Sequence, residues 1–305
     1  MTDTAPRSGQ TAVITGAASG FGLETSRLAA RLGMNVVMVD VMPAPLEAAA
    51  RDVRAQGGAG AVEPHVADVR SAERLEGLAA HVQQRFGAPH LVFNNAGVSA
   101  GGLVWEHTAR DWDWVVGVNL MGVAHGVRVF TPMMLAAEQA DPAYRGHVIN
   151  TASMAGLVNM PNMGAYNVTK HAVVSLSETL YQDLRLVSDR VHAHVLCPYF
   201  VPTGIAHSDR ARPGETRDGG APTRSQQVAQ AFGERAVSSG KVTAAEVAQR
   251  VFDAMDGQQF YIYSHPQALA PVTTRAEDIV TARNPSDPYA ARPELGDNLR
   301  RALRG

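Results

Sequence analysis

An apolar run leads directly into a glycine-rich turn in the sequence Thr11-Ala12-Val13-Ile14-Thr15-Gly16-Ala17-Ala18-Ser19-Gly20-Phe21-Gly22. We predict a buried strand at Thr11–Thr15 and a helix after the last glycine. Glycines between a strand and a helix let the backbone turn tightly and approach a pyrophosphate, and the helix N-terminus adds N–H donors and a favourable dipole. The spacing differs from the common G-x-G-x-x-G fingerprint, so an ordinary strand-to-helix turn remains the alternative.

Segments of the same two kinds alternate along most of the chain. Short apolar runs without alternation suit strands that are covered on both faces, and Ala-, Leu- and Arg-rich stretches suit helices. This βαβα order predicts an α/β fold with a parallel sheet of about seven strands and helices on both faces. The further strand candidates are Asn35–Asp40, Ala61–His65, Leu91–Asn94, His147–Thr151, His192–Cys197 and Phe260–Ser264. The helix candidates are Leu23–Leu32, Leu46–Gln56, Ala72–Phe86 and Gly164–Leu186.

The alternation ends after Thr203. Residues 204–240 are rich in Gly, Pro, Arg, Ser and Asp, and a loop of this length inside a compact domain is usually a mobile lid or a disordered insertion. A capping box at Thr243 and Glu246 predicts a helix at Val242–Met255. We therefore expect a single domain over residues 1–264, including a substrate loop at about 204–240, and a C-terminal extension at 265–305.

The composition is that of an ordinary soluble protein with a sizeable core. Of 305 residues 45% are apolar and 18% are charged, and the net charge of −2 does not favour binding to nucleic acid or to an anionic membrane. No apolar run approaches the length of a membrane span, and Met1–Gln10 lack the apolar core of a signal sequence. Cys197 is the only cysteine, so no disulfide or cysteine-rich metal site is expected. We expect a cytoplasmic protein without a metal.

Tyr166 and Lys170 lie four residues apart and would share one face of a helix. An ammonium beside a phenol favours the phenolate, which lowers the tyrosine pKa from about 10. Such a group can exchange protons with an alcohol or a carbonyl near neutral pH. Ser153, thirteen residues before the tyrosine, has a hydroxyl that can hold the reacting oxygen. Tyr-x-x-x-Lys alone is common, and its significance depends on the other motifs.

Asp40 ends the second predicted strand, eighteen residues after Gly22. An acidic residue at this distance can accept hydrogen bonds from the adenosine ribose hydroxyls, and it would repel a 2′-phosphate. No Arg or Lys at Ser19 or Val41 compensates its charge, so we expect NAD and consider NADP less favoured. The alternative is an aspartate that caps a turn with Pro43.

Seven motifs in this order resemble the short-chain dehydrogenase/reductase family, and the match covers about residues 10 to 203. The resemblance implies a Rossmann-type, doubly wound parallel sheet and an NAD(P)-dependent oxidoreductase that acts on CH–OH groups. The motifs are Thr15-Gly-x-x-x-Gly-x-Gly22, Asp68, Asn94-Asn95-Ala96-Gly97, Asn119, Ser153, Tyr166-x-x-x-Lys170, and Cys197-Pro198 through Thr203.

The resemblance also implies a role for each catalytic candidate. Tyr166 would be the acid/base, and Ser153 would bind the substrate oxygen. Lys170 would bind the nicotinamide ribose hydroxyls and lower the tyrosine pKa. Asn119 would hold a water that links the lysine to solvent, although a helix-interior Asn bonded to backbone is the alternative. The implied cofactor contacts are Gly16, Ser19, Gly20, Phe21, Gly22, Asp40, Asp68, Val69, Asn95, Ala96, Gly97, Tyr166, Lys170, Pro198, Val201 and Thr203.

Two features of the sequence depart from the family pattern. Tyr199 and Phe200 follow Pro198 where the family usually has glycine, and the chain continues for some forty residues past Ser264. Two placements are open for such a bulky side chain: it forms one wall of the nicotinamide or substrate pocket, or it packs outward under the 204–240 loop. We expect the protein to form a homodimer or a homotetramer. In many members of this family the end of the chain helps to build a tetramer, and here that end is extended.

The substrate is expected to be a small-molecule secondary alcohol or ketone that is bulky and hydrophobic or aryl. Methionines and aromatics suit a flexible apolar pocket, and ordinary core packing is the alternative for each of them. Other functions remain open: an NADP-dependent carbonyl or 3-oxoacyl reductase of the same family, or a non-catalytic NAD-binding scaffold. The substrate-pocket candidates are Met154, Met160, Tyr199 and Phe200.

Overall fold

A seven-stranded parallel sheet forms the centre of the protein, and the computed structural model describes residues 7–216 and 219–304. The strand order is β3-β2-β1-β4-β5-β6-β7, and every neighbouring pair is parallel. The strands are β1 Thr11–Thr15, β2 Asn35–Asp40, β3 Val62–Val66, β4 Leu91–Asn94, β5 Gly146–Thr151, β6 Val191–Cys197 and β7 Tyr261–Tyr263. The predicted doubly wound α/β fold is confirmed.

Helices cover both faces of this sheet. On one face α1, α2 and α8 bury side chains such as Ala29, Leu46 and Val251 against the strands. On the other face α3, α5 and α6 contribute side chains such as Leu75 and Phe130. The helices are α1 Gly20–Arg31, α2 Pro43–Gln56, α3 Ala72–Phe86, α4 Ala109–Val116, α5 Gly122–Ala140, α6 Gly164–Val187, α7 Arg224–Ser238, α8 Ala244–Asp256, α9 Ala270–Val280 and α10 Pro293–Arg304.

The chain reverses its direction of winding between β1 and β4. From β1 it proceeds outward through β2 and β3, and it then returns to place β4 on the other side of β1. The connections after these two neighbouring strands therefore diverge to opposite faces, which opens a crevice at the carboxyl edge of the sheet. Open α/β sheets bind their ligands in this position.

The sequence analysis did not identify one long helix. Helix α4, a π-helical turn at Gly117–Met121 and helix α5 form a continuous stretch from Ala109 to Ala140. This stretch is long and apolar enough to span a membrane, so the expectation that no run reaches that length is wrong. Its buried side chains, among them Phe130 and Met134, pack against the sheet.

The segment 204–240 is more structured than its composition suggests. It contains 3-10 turns at Gly204–Ala211 and Gly214–Thr216 and the fifteen-residue helix α7. The helix begins with a capping box in which Thr223 and Gln226 satisfy each other's backbone N–H groups. The extension 265–305 likewise contains α9 and α10, and the Arg224 side chain donates to the Ala302 carbonyl, which connects α7 to α10.

Candidate active site

A cavity at the carboxyl ends of the strands brings together most of the residues identified from the sequence. Residues that follow β1 through β6 each contribute to its wall, so the parallel sheet places segments distant in sequence around one space. The predicted residues that line it are Gly16, Ser19, Gly20, Phe21, Asp40, Asp68, Val69, Asn95, Ala96, Gly97, Ser153, Tyr166, Lys170, Pro198, Tyr199, Val201 and Thr203.

The glycine-rich segment at residues 15–22, which we call the phosphate turn, leads from β1 into α1 and contains three glycines with different roles. Gly16 and Gly20 have φ angles of 66° and 56°, which L side chains rarely adopt. Gly22 does not line the cavity, but a Cβ on it would lie 2.3 Å from the Gly16 carbonyl oxygen. It therefore allows α1 to approach the turn closely.

The N-terminus of α1 is open toward the cavity. Ser19 occupies the N-cap position without making a side-chain capping bond, so its hydroxyl leaves the first-turn N–H groups free for another acceptor. A phosphate oxygen is the acceptor that uncapped N–H groups at a helix N-terminus bind most readily. The residues present therefore fit the pyrophosphate of a dinucleotide.

Asp40 makes the backbone contacts of the alternative role considered from the sequence and keeps lone pairs for a ligand. Its carboxylate accepts hydrogen bonds from the backbone N–H groups of Ala18, at 3.1 Å, and Met42, at 3.0 Å, and so holds the phosphate turn to the end of β2. Each carboxylate oxygen retains a further lone pair for a ribose hydroxyl. Its negative charge lies at the cavity wall.

Asp68 forms an ion pair with Arg70. Its carboxylate accepts from Arg70 at 2.7 Å, and the same guanidinium lies 3.5 Å from Glu215 of the 204–240 segment. The pair raises the pKa of the arginine, so Arg70 keeps its charge. This connection between the third strand and the 204–240 segment was not anticipated.

Asn95 joins the first and fourth strands where they diverge. Its amide nitrogen donates to the Thr15 carbonyl at 3.0 Å, and its amide oxygen accepts from the Thr151 hydroxyl at 3.3 Å. One layer below, Asn94 donates to Asn150 at 2.9 Å. These bonds hold the central strands together on the floor of the cavity.

Asn119 is buried in the π-helical turn and does not line the cavity. Its amide oxygen accepts from the Val98 N–H at 2.8 Å, and its amide nitrogen donates to the Val98 carbonyl at 3.0 Å. The alternative expectation, an Asn bonded to backbone, therefore describes its side chain. Asn119 nevertheless lies close to Lys170. A Cβ on Gly97 would be 3.5 Å from both the Asn119 side-chain oxygen and the Lys170 nitrogen.

Tyr166, Lys170 and Ser153 meet at one wall. The lysine nitrogen is buried, lies 5.6 Å from the centre of the Tyr166 ring, and donates to the Thr151 carbonyl at 2.8 Å. Ser153 accepts from the Ala155 N–H at 3.1 Å and forms a hydrogen bond that lowers the pKa of Tyr166. Helix α6 and the loop after β5 thus place a phenol, an ammonium and a hydroxyl together.

The lowered tyrosine pKa expected from the sequence is wrong for this structure. Burial raises the pKa of Tyr166, and the Ser153 hydrogen bond offsets only part of that increase. Burial also lowers the pKa of Lys170 to about 8. The reason is that both groups are removed from water, which disfavours phenolate and ammonium alike.

Three of the four substrate-pocket candidates lie outside the cavity wall. Met154 is buried within the 3-10 turn Met154–Gly156, and neither Met160 nor Phe200 contributes to the wall, whereas Tyr199 does. The alternative of ordinary packing therefore applies to those three. The apolar wall residues missed by the sequence analysis include Val98, Trp114, Val118, Ile205 and Val237.

The 204–240 segment is attached over this wall by polar contacts. The Ser208 hydroxyl accepts from the Ser99 N–H at 2.8 Å. Arg212 pairs with Asp111 at 2.8 Å and lies 4.8 Å from the centre of the Trp114 ring. The Thr108-x-x-Asp111 capping box that begins α4 was a readable signal for a helix here, but its contact with Arg212 was not.

Comparison with known proteins identifies the family. A family model described as short chain dehydrogenase matches residues 10–214. The chain belongs to the short-chain dehydrogenase/reductase family. As a member of this family it is a dehydrogenase/reductase that acts on alcohol or ketone groups. The family assignment and the reaction class expected from the sequence are thus confirmed.

Three relatives illustrate this family membership. A short chain dehydrogenase/reductase from Burkholderia phymatum, solved in complex with NAD, is 49% identical over 93% of this chain and 98% of its own, with a TM-score of 0.88. A CLA biosynthesis dehydrogenase/reductase from Lactiplantibacillus plantarum is 32% identical over 88% of this chain and 92% of its own. A metagenomic short-chain oxidoreductase in complex with NADP is 31% identical over 64% of this chain and 84% of its own, with a TM-score of 0.58.

Proposed function

We propose that this short-chain dehydrogenase/reductase transfers a hydride between NAD and a bulky, hydrophobic or aryl secondary alcohol or its ketone. The observation that carries the proposal is the convergence of two groups on one cavity. The phosphate turn and Asp40 line one end, and Ser153, Tyr166 and Lys170 line the other. A dinucleotide held at the first end would present its nicotinamide near the second.

The chain's own residues would transfer the proton and hold the substrate oxygen in position. When bound, the nicotinamide supplies the hydride acceptor or donor. Tyr166, whose raised pKa keeps it protonated at neutral pH, would donate its proton to the ketone oxygen during reduction. Ser153 would donate a hydrogen bond to the same oxygen. Lys170 would stabilise the phenolate that remains, and in alcohol oxidation that phenolate takes the hydroxyl proton.

Asp40 supports NAD over NADP. Its carboxylate lies at the end of β2, where the adenosine ribose of a dinucleotide binds in such sheets, and a 2′-phosphate would meet its charge. The NAD complex of the 49% identical relative agrees with this choice. The alternative is an NADP-dependent carbonyl or oxoacyl reductase, which the NADP complex of the 31% identical relative favours.

The apolar wall supports a bulky substrate. Trp114 and Val98 on one side and Ile205 and Val237 on the other carry no charged group, and Tyr199 borders the same space. Such a surface suits an aryl or branched aliphatic group better than a sugar. We propose accordingly that residues 204–240 form the substrate loop of a single domain spanning 1–264, and that residues 265–305 are an extension packed on it.

A homodimer or homotetramer in the cytoplasm is the assembly and location that we propose. Exposed apolar side chains on the long helices, among them Met121, Val168 and Leu186, suit self-association. Light scattering after size-exclusion chromatography measures the assembly, and a monomer at micromolar concentration would contradict it.

A coenzyme and substrate screen tests the proposed function. Secondary alcohols of graded bulk are offered with NAD⁺ and with NADP⁺, and the absorbance of the reduced coenzyme is followed. We expect turnover with NAD⁺ that rises from small to aryl alcohols. Turnover with NADP⁺ alone would favour the alternative reductase, and tight NAD binding without any turnover would favour a non-catalytic scaffold.

A further inference from the structure

Among the residues that the structure describes, three cations line the cavity wall: Arg70, Lys170 and Arg210. Arg70 is paired with Asp68 and Glu215, and Lys170 donates to the Thr151 carbonyl. The Arg210 guanidinium has neither a salt bridge nor a hydrogen bond among residues 7–216 and 219–304. A cation at the wall of a cavity and without a protein partner is available for an anionic ligand.

The position of Arg210 indicates which part of a ligand it meets. Its guanidinium packs on Gly204, since a Cβ there would lie 2.7 Å from Nη2. Thr203, the preceding residue, contacts the first residue of α1, since a Cβ on Gly20 would lie 3.3 Å from the Thr203 side chain. This chain of contacts places the guanidinium at the phosphate-turn end of the cavity. Gly204 therefore provides the space in which the guanidinium lies.

The phosphate turn itself lacks a positive charge. Residues 15–22 contain no Lys or Arg, so only N–H groups and the helix dipole would face the two negative charges of a pyrophosphate. A guanidinium binds phosphate oxygens with two parallel hydrogen bonds, and such charge-assisted bonds are stronger than those between neutral groups.

We infer that Arg210, carried by the 204–240 segment, binds the pyrophosphate of the dinucleotide from the side opposite the phosphate turn. This inference rests on the proposed function, because it requires that a dinucleotide occupy the cavity. It gives the 204–240 segment a cofactor-binding role in addition to its contact with substrate. The Arg70–Glu215 ion pair and the Ser208–Ser99 hydrogen bond hold that segment in place around Arg210.

Calorimetric binding to the intact protein tests the inference. The ligands are NAD⁺, ADP-ribose, which retains the pyrophosphate, and adenosine, which lacks it. Arg210→Gln should weaken binding of NAD⁺ and ADP-ribose by at least about tenfold, since the loss of a single charge-assisted hydrogen bond already has that effect, and leave adenosine binding unchanged. Arg210→Lys keeps the charge without the two parallel bonds and should fall between wild type and Gln.

Arg31→Gln is the matched control. Arg31 is exposed in the last turn of the same helix whose first turn faces the cavity, so its loss removes an equal charge far from the phosphate turn. It should leave the binding of all three ligands unchanged. Thermal unfolding of each variant verifies that it folds.

The other outcomes distinguish a failure of the proposed function from a failure of the role inferred for Arg210. If wild-type protein binds neither NAD⁺ nor ADP-ribose, the proposed function fails and the inference fails with it. If wild type binds both and Arg210→Gln binds them equally well, only the inference fails. An equal loss for adenosine would assign Arg210 a structural role and would also overturn the inference.

Discussion

The Lys170 ammonium lies one helical turn from Tyr166, 5.6 Å from the centre of its ring, and donates its hydrogen bond to the Thr151 carbonyl. The pair is therefore assembled, but its electrostatics are set by burial. Burial raises the pKa of the phenol and lowers that of the ammonium. In this state the tyrosine is protonated, as the proposed donation of its proton to a ketone requires.

Removing the phenol hydroxyl tests its role directly. Tyr166→Phe should lower kcat by at least about a hundredfold, the smaller end of acid–base contributions, because the hydroxyl proposed to exchange the proton with the substrate oxygen is lost. NAD⁺ binding by calorimetry should be unchanged. Tyr181→Phe, on the far half of the same helix, is the matched control and should keep wild-type turnover. Wild-type turnover in Tyr166→Phe would remove the tyrosine from the mechanism.

Ketone reduction should slow as the pH rises through about 8. The lowered pKa of Lys170 means that its charge is lost above that pH, while Tyr166 stays protonated. The phenolate formed by proton transfer then lacks the cation that stabilises it. The pH profile of kcat/KM reports this group in the free enzyme. Lys170→Arg, which keeps its charge, should move the decline to higher pH, and a flat wild-type profile up to about pH 10 would contradict the assignment.

Coenzyme preference should depend on the charge of Asp40. Asp40→Asn keeps one oxygen for the backbone N–H groups of Ala18 or Met42 but removes the repulsion of a 2′-phosphate, so the ratio of kcat/KM for NADP⁺ to that for NAD⁺ should rise by about tenfold or more. Glu47→Gln removes an exposed carboxylate from α2 and should leave the ratio unchanged. An unchanged ratio in Asp40→Asn would show that another group selects the coenzyme.

Two glycine-to-alanine substitutions should have opposite effects on stability. Gly22→Ala forces a methyl group to within 2.3 Å of a carbonyl oxygen and should lower the free energy of unfolding by about 1–3 kcal/mol, as overpacking does. Gly77→Ala, exposed in the middle of α3 with open space around it, should raise it by up to about 1 kcal/mol through helix propensity. Urea denaturation measures both, and a stable Gly22→Ala would contradict the close approach of α1.

A buried histidine pair should make the fold sensitive to acid. His147 and His194 are joined by a 3.0 Å hydrogen bond between their rings, and burial lowers the pKa of both, that of His194 to about 4. The unfolded chain binds protons at these rings below about pH 6.5, so it takes up more protons than the folded state and stability falls as the pH falls. For His194 the loss should approach about 3 kcal/mol by pH 4.

Variants that cannot be protonated isolate this contribution. His194→Gln should flatten the decline in the free energy of unfolding between about pH 6.5 and pH 4.5, measured relative to the value of the same variant at neutral pH. His207→Gln removes an exposed histidine and should keep the wild-type slope. An unchanged slope in His194→Gln would assign the acid sensitivity to other groups.

The backbone of the site could be predicted because its requirements are local. Positive φ angles at Gly16 and Gly20, a strand that ends at Asp40, and a helix that carries Tyr166 and Lys170 all follow from neighbouring residues. Parallel strands then bring their carboxyl ends to one edge of the sheet whatever side chains they carry. The order of motifs along the chain was therefore enough to predict the α/β fold and most of the cofactor and catalytic candidates around the cavity.

Burial and long-range contact were not readable in the same way. The direction of the Tyr166 and Lys170 pKa shifts depends on how much water the surrounding chain excludes, and the helical turns of residues 204–240 are held by partners such as Asp111 and Ser99, about a hundred residues away in sequence. Spacing along the chain indicates which groups meet. Only the packed molecule determines how far these groups are removed from water, and this burial sets their charge. The packing also determines which side chains form the cavity wall.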